Sequence, residues 1–216
     1  LKAAEAEEFF ESLSALDQAQ IVLGLPDIER KLWVRSMAPD DLADVVQALP
    51  DEGRTSVLGL LDEPTRKELV ALLAYEEDEA GGLMNTRYGR LRPEMSVDEA
   101  ITYLRKQTPE RVESIYYAYV LDQQSQLLGV VSFRQLIMAK GSAKVAEVMT
   151  MDLVTVPDEM DQEAVSRLFA QHSYLSLPVV DAQGRMKGVV TADDIVDVVR
   201  EEATEDMQRQ GGVGPI

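Results

Sequence analysis

The sequence contains no cysteine and one histidine, His172, in 216 residues. Disulfide scaffolds, thiolate zinc sites and cysteine nucleophiles are therefore excluded, and one imidazole builds no His-based metal cluster. Basic residues are scarce, with 21 Lys and Arg against 39 Asp and Glu, a formal charge of −18. A surface this acidic repels nucleic acid and anionic lipid, both of which are held through Lys and Arg. Long apolar runs are also absent. The longest, Leu127-Leu-Gly-Val-Val-Ser-Phe133, has the length of a strand, far short of the ~18 residues of a membrane span. Catalytic signatures are missing as well: there is no Gly-x-x-x-x-Gly-Lys, no Gly-x-Gly-x-x-Gly and no nucleophile–base pairing. His172, in Phe-Ala-Gln-His-Ser-Tyr, is expected at a solvent-facing helix end, so the expectation is a protein that is not an enzyme. Hydrophobic residues reach 45%, enough for one or two ordinary domains and too many for disorder. The chain starts on Leu1-Lys-Ala-Ala-Glu rather than on Met, without the basic and apolar regions of a signal peptide, and reads as a piece of a longer protein.

The charge is unevenly placed. Residues 1–79 hold 7 basic and 19 acidic residues, a net of −12, and residues 80–148 hold 9 and 7, a net of +2. Residues 149–216 hold 5 and 13, a net of −8. Two acidic blocks thus flank a nearly neutral one.

The first block reads as helical throughout. Leu25-Pro26-Asp27 recurs as Leu49-Pro50-Asp51, a period of 24 residues, with Arg30 and Arg54 in equivalent places. Pro39-Asp-Asp-Leu-Ala-Asp-Val-Val and Pro64-Thr-Arg-Lys-Glu-Leu lead further helices, and Thr65 with Glu68 has the spacing of a capping box. A unit of two short helices cannot bury its apolar face alone, so a small helical stack is expected.

A second repeat fills the remainder. Met84…Glu94-Met95…Glu99-Ala100 matches Met149…Glu159-Met160…Glu163-Ala164, and Val120-Leu-Asp122…Gly129-Val-Val-Ser132 matches Val179-Val-Asp181…Gly188-Val-Val-Thr191. Each copy reads as short strand, helix, strand, strand, helix. Asp122-Gln-Gln-Ser and Asp181-Ala-Gln-Gly supply hairpin turns, while Ser96 with Glu99 and Thr191 with Asp194 mark helix starts. The two copies are expected to form one pseudo-symmetric α/β unit.

The final helix is unusual by local chemistry. Asp193, Asp197, Glu201 and Glu205 form an i,i+4 ladder, beside a second line of Asp194, Glu202 and Asp206, with Arg200 the one base between 193 and 206. Like charges at this spacing each cost about 0.2–0.5 kcal/mol, and acids near a helix C-terminus oppose its dipole. A solvated acidic face accounts for such a run; a bound hard divalent cation, which takes oxygen ligands, would offset its cost.

Leu177-Pro-Val-Val-Asp181…Gly188-Val-Val-Thr191-Ala-Asp-Asp-Ile195, with Met149-Thr at the head of the repeat, resembles the CBS-domain signature. Adding Tyr75-Glu-Glu-Asp-Glu-Ala-Gly-Gly-Leu-Met84 at the junction and the Leu-Pro helical repeats before it, the chain resembles the cytosolic region of the MgtE magnesium channels and transporters. That resemblance implies an α plus α/β architecture: a superhelical N-domain at 1–79 and two βαββα CBS repeats at 80–145 and 146–200. An acidic helix end at 201–216 would lead toward an absent transmembrane domain. It implies a homodimer paired through its CBS domains, placed at the cytoplasmic face of the bacterial plasma membrane. In relatives, Mg²⁺ bridging the acidic faces of the N-domain and the CBS pair closes the pore. The implied ligands are Asp41 with Asp44 in the N-domain, Asp161 and Glu163 at the second repeat's helix, and Asp194, Asp197, Glu202, Glu205 and Asp206 at the end. Asp161 has a competing role as an N-cap, and Asp194 as the capping acid for Thr191. CBS pairs also bind adenine nucleotides, which gives the alternative reading of a nucleotide-binding regulatory module without metal sensing. Arg134, Tyr174 and Thr191 are the candidate ATP contacts, although the first repeat's Ser132-Phe-Arg-Gln135 carries Gln where the second, Thr191-Ala-Asp-Asp194, carries an acid.

Overall fold

A computed structural model of the chain describes residues 6, 9–10, 12–107, 116–172, 174–196 and 198–199. The chain divides into two compact units, Leu1–Glu77 and Asp78–Ile216.

In the first unit the 24-residue period is a pair of ten-residue helices, each followed by a two-residue link. Its helices are α1 (Ala15–Gly24), α2 (Asp27–Ser36), α3 (Pro39–Ala48), α4 (Asp51–Leu60) and α5 (Glu63–Leu72). Every link places its residues in extended backbone, as the Pro-containing spacing requires. The odd helices α1, α3 and α5 pack side by side, and α2 packs on α4 in a second row. Helix α3 lies in the middle and buries Leu42, Ala43, Val45 and Val46, whereas α2 buries only Val34 and α4 only Gly53 and Val57.

The repeated arginines explain how such short helices end. Arg30 Nε donates to the Val22 carbonyl at 2.9 Å, and its Nη2 to those of Leu23 and Leu25 at 2.8 and 2.9 Å. Arg54 does the same one period later, donating to the carbonyls of Leu49 and Gln47. Each guanidinium adds a charged donor to carbonyls at the end of the preceding helix and in the link after it, and it brings positive charge to the negative end of that helix.

The Thr65–Glu68 capping box is corrected. The N-cap of α5 is Asp62, whose Oδ1 accepts from the Thr65 N–H at 3.0 Å. Glu63 and Pro64 are already helical, because a proline in the first turn has no N–H to leave unsatisfied, so the helix starts three residues earlier.

The second unit contains α6 (Ala80–Leu83), β1 (Gly89–Leu91), α7 (Val97–Lys106), β2 (Tyr117–Leu121), β3 (Leu127–Ser132), α8 (Phe133–Met138) and α9 (Val145–Val148). There follow β4 (Val156–Pro157), α10 (Gln162–His172), β5 (Ser176–Val180) and β6 (Met186–Thr191), with residues 192–196 helical. The sheets β1-β2-β3 and β4-β5-β6 have the same order, one parallel pair and one antiparallel pair each. The expected Ser96–Glu99 capping box starts α7.

Each repeat lends its leading segment to the other. Asn85 pairs with Val189 of β6 through N–H···O bonds of 2.8 and 2.9 Å, and Thr150 pairs with Val130 of β3 at 2.8 and 2.9 Å. The glycines beside these crossings are required by the approach. A Cβ on Gly129 would sit 2.8 Å from Met149 Sδ and 2.9 Å from the Thr150 carbonyl; on Gly188 it would sit 2.8 Å from both the Asn85 carbonyl and Met84 Cγ. The repeated Met and Gly of the sequence are thus two sides of one contact.

The hairpin tips also join. Asp122 Oδ1 accepts from the N–H groups of Gln124 and Gln126, and Asp181 Oδ1 from those of Gln183 and Arg185. Ser125 and Gly184 take positive φ, and the tips exchange the bonds Leu127 N–H to Gly184 O and Met186 N–H to Ser125 O. Tyr88, Tyr119, Leu121, Met186 and Val189 form an apolar cluster that joins residues of both sheets. Among the described residues no helix is long and apolar enough to cross a membrane.

Candidate functional site

Two places in the second unit carry chemistry. The first is a cleft of about 450 Å³ lined from both repeats. Tyr117, Tyr119, Ser132 and Gln135 come from the β2–β3–α8 side, Thr150, Asp152 and Val154 from the connection between repeats, and Tyr174, Ser176 and Pro178 from the β5 side. The wall combines flat aromatic and apolar surfaces with a few fixed polar groups, the usual make-up of a small-molecule site.

The polar groups are held by the helix starts and strand ends. Ser132 caps α8, donating its hydroxyl to Gln135 Oε1 at 2.8 Å while its N–H donates to the same oxygen at 2.7 Å. The Gln135 amide then reaches across to the Val148 carbonyl at 3.1 Å and the Thr150 hydroxyl at 3.3 Å. Tyr119 is buried and its hydroxyl meets that of Ser176 at 2.9 Å, tying β2 to β5. Burial pushes the Tyr119 phenol up to about 12, so it stays neutral and is a hydrogen-bonding group rather than a base. Tyr174 is half-buried and its ring lies 5.3 Å from that of His172, which is exposed at the end of α10.

Of the three nucleotide candidates, the structure brings Tyr174 into the cleft wall. Arg134 is exposed beside Ser132 and Gln135 and is not among the lining residues. Thr191 lies outside the lining too, its N–H and hydroxyl both bonded to Asp194 Oδ2 at 2.8 and 2.7 Å. Sequence reasoning missed Tyr117, Tyr119, Ser176, Thr150 and Asp152. Only the β1–β2–β3 order and the crossing at Thr150 bring them together, and no local spacing signals that.

The second place is acidic. Asp78 and Glu79 meet the second repeat through the bridge of Glu79 with Asp161 and the bond from Gln162 N–H to the Asp78 carbonyl, and the Gly81 N–H bonds the Asp158 carbonyl. Asp78, Glu79 and Asp158 therefore join the expected ligands Asp161 and Glu163 on one side of this unit. Asp161 does cap α10, its Oδ1 accepting from the N–H groups of Glu163 and Ala164 at 3.0 and 3.2 Å. Glu163 pairs with Arg167 at 3.3 Å. In the first unit Asp41 and Asp44 are exposed on α3, while Asp40 is buried. Asp194 is half-buried as the capping acid of the helix after β6. Asp197, Glu202, Glu205 and Asp206 lie outside the described residues, as do Glu201 and all of 201–216.

Among the described residues no three carboxylates or imidazoles converge tightly enough to enclose a metal ion. That donor chemistry is still compatible with Mg²⁺, which keeps several waters and takes one or two carboxylates. A dehydrated Ca²⁺-type cage of six to eight protein oxygens is not formed by these residues.

Family models and relatives agree with this architecture. The model of the MgtE intracellular N domain matches residues 1–78, and that of the CBS domain matches 80–142 and 145–201. The magnesium transporter MgtE of Thermus thermophilus is 43% identical over 216 residues, covering 99% of this chain and 48% of the relative. That of Bacillus subtilis is 34% identical over 183 residues, covering 85% of this chain and 40% of its own length. The chain thus spans about half the length, or less, of these curated relatives. Among solved structures, the crystal structure of the cytosolic domain of the Mg²⁺ channel MgtE in complex with ATP superposes with a TM-score of 0.86 at 42% identity, over 92% of this chain and 81% of that one. The soluble part of a magnesium transporter gives a TM-score of 0.81 at 27% identity, over 94% and 84%. A helical unit built on the Leu-Pro repeat, followed by two segment-exchanged βαββ repeats and matched by both family models, places the chain in the MgtE family as its intracellular N domain and CBS pair.

Proposed function

We propose that this region senses Mg²⁺ and regulates the pore of a magnesium channel or transporter from the cytoplasmic side of a bacterial plasma membrane. The carrying observation is the distribution of acid. Residues 1–79 carry a net −12 and residues 149–216 a net −8, and within the second unit Asp78 and Glu79 pair with the backbone at Gln162 and Asp161. At low Mg²⁺ the like-charged parts repel. At high Mg²⁺ ions held by Asp161, Glu163, Asp41, Asp44 and the acids from Asp194 to Asp206 neutralise them and favour a compact dimer, the state that closes the pore. An ion shifts this equilibrium only by its preference for the compact state, and several weak sites acting together make the response steep. X-ray scattering across 0 to tens of millimolar Mg²⁺ at constant ionic strength tests the proposal: a fall in radius of gyration supports it, and an unchanged radius defeats it.

The dimer is proposed through the CBS unit. Tyr116, Ile137, Met138, Leu175, Val196 and Val199 are all exposed there. The strand registers Tyr117 to Ser132 and Ser176 to Thr191 make Tyr116 equivalent to Leu175 and Ile137 to Val196, so both repeats expose apolar side chains at equivalent positions.

The cleft favours a second role, adenine-nucleotide binding. Its volume, its aromatic side chains and the ATP complex of the related cytosolic domain support that reading. Calorimetry with ATP and AMP at fixed Mg²⁺ tests it; heats no larger than dilution defeat it.

A further inference from the structure

We infer that Tyr88 and Arg90 close the second cleft that the repeat symmetry of the CBS pair would otherwise provide, so that each chain takes one ligand there. The ligand count rests on the nucleotide reading above; the closure stands on geometry.

Two repeats that exchange their leading segments generate two equivalent places. Thr150 pairs with Val130 of β3 and Asn85 with Val189 of β6, while Val156 pairs with Val179 and Leu91 with Val120. Residues 85–91 are therefore the counterparts of 150–156, and β2 with β3 the counterpart of β5 with β6. Applied to the lining of the open cleft, this equivalence turns Leu153 into Tyr88, Val130 into Val189 and Pro178 into Tyr119. Those three counterparts belong to one apolar cluster, with Leu121 and Met186. The same place in the fold is a cleft on one side and packed core on the other.

Burial follows the same division. Along the open wall Thr150, Asp152 and Val154 are exposed and Leu153 is half-buried. Their counterparts Asn85, Tyr88 and Gly89 are buried, Tyr88 to 5% exposure, and Arg87 is half-buried.

Side-chain volume accounts for the difference. The open side has Leu153 and Thr155, which leave about 450 Å³ free, where the closed side has a ring and a guanidinium. The Tyr88 ring meets that of Tyr119 edge-on, with centroids 5.7 Å apart at 89°. The Arg90 guanidinium lies over the Tyr88 ring, 4.5 Å from its centroid. Edge-to-face and cation–π contacts are both attractive, so the ring is held from two sides. Burial also pushes the Tyr88 phenol up, as a dry environment does. A ligand entering here would have to break both contacts and part a close-packed core.

Calorimetry of the 216-residue chain with ATP at fixed Mg²⁺ counts the sites. Tyr88→Leu with Arg90→Thr, which copies Leu153 and Thr155, tests the plug. The wild type is expected to bind one ATP per chain and the double variant two. Two sites in the wild type overturn the inference, and so does a folded double variant that still binds one. Closure is read without nucleotide in single-thiol chains, which the absence of cysteine permits. An aromatic disulfide reagent is expected to modify Val130→Cys about tenfold or more faster than Val189→Cys, and the double variant to bring the two rates within about threefold. Equal rates with Tyr88 and Arg90 in place overturn the closure. A wild type that binds no ATP overturns the nucleotide reading and the ligand count, and the thiol rates then decide the closure. They decide it also where the double variant does not fold.

Discussion

Single residues decide how closely the two CBS repeats approach each other. Gly129 and Gly188 take ordinary backbone angles; what each requires is space, because the other repeat's leading segment passes at van der Waals distance. Gly129→Ala should therefore push Met149 and Thr150 away and cost about 1–3 kcal/mol, as overpacking does, lowering the melting temperature by roughly 3–10 °C. Gly188→Ala should cost about as much by symmetry, and thermal melts of both variants check it. Gly59, with nothing within 4 Å of an added Cβ and a helical backbone in α4, gives the contrasting case. Gly59→Ala should stabilise by a few tenths to about 1 kcal/mol in the same assay. Titration also acts at this scale. The carboxyl of Asp62 is held below its ordinary range by the Thr65 backbone N–H, and that of Glu99 by the Ser96 backbone N–H. A depressed pKa means the folded state prefers the charged form, so this stabilisation is complete above the unfolded pKa of about 4 and disappears as pH falls through the lower folded value. Asp62→Ala and Glu99→Ala should melt below the wild type at pH 6, and the gap should narrow toward pH 2; a gap of constant size would contradict the charge-based account.

At the scale of elements, the N-domain shows how ten-residue helices persist although such lengths are marginal alone. Alternate helices share one apolar seam centred on α3, and each pair is locked by an arginine that reaches back to the previous helix end. Replacing Arg30 or Arg54 by Ala should cost about 1–2 kcal/mol each, since carbonyls near the helix end lose a charged donor and are left to water. Denaturant melts followed by circular dichroism would show the loss as a lower midpoint with an unchanged slope. The Leu-Pro-Asp period and the two arginines were legible in the sequence because they recur at one spacing. The true start of α5 was not: Thr65 and Glu68 satisfy the pattern of a cap while Asp62, three residues before, supplies the bond.

At the scale of the whole molecule, a net charge of −18 makes the compact state sensitive to counter-ions. Under the Mg²⁺ proposal, ligand linkage stabilises the compact state by about 1.4 kcal/mol per site at ten times the dissociation constant, so Mg²⁺ should raise the melting temperature more than NaCl of equal ionic strength. Asp161→Asn together with Glu163→Gln should reduce that Mg²⁺-specific rise; equal shifts with both salts would show screening alone. The proposed CBS dimer predicts that light scattering reports a dimer for the wild type and a monomer for Ile137→Glu with Val196→Glu; a monomeric wild type would defeat it.

The sequence alone determined the two repeats, the α then α/β order and the acidic partition, since these are written in spacing and composition. Only the tertiary structure decided that Asn85 and Thr150 each complete the other repeat, that Glu79 lies on Asp161, and that Tyr119, Gln135, Tyr174 and Ser176 share a cleft. These residues are tens of positions apart. Strand order and a segment exchange bring them together, and no local pattern encodes either.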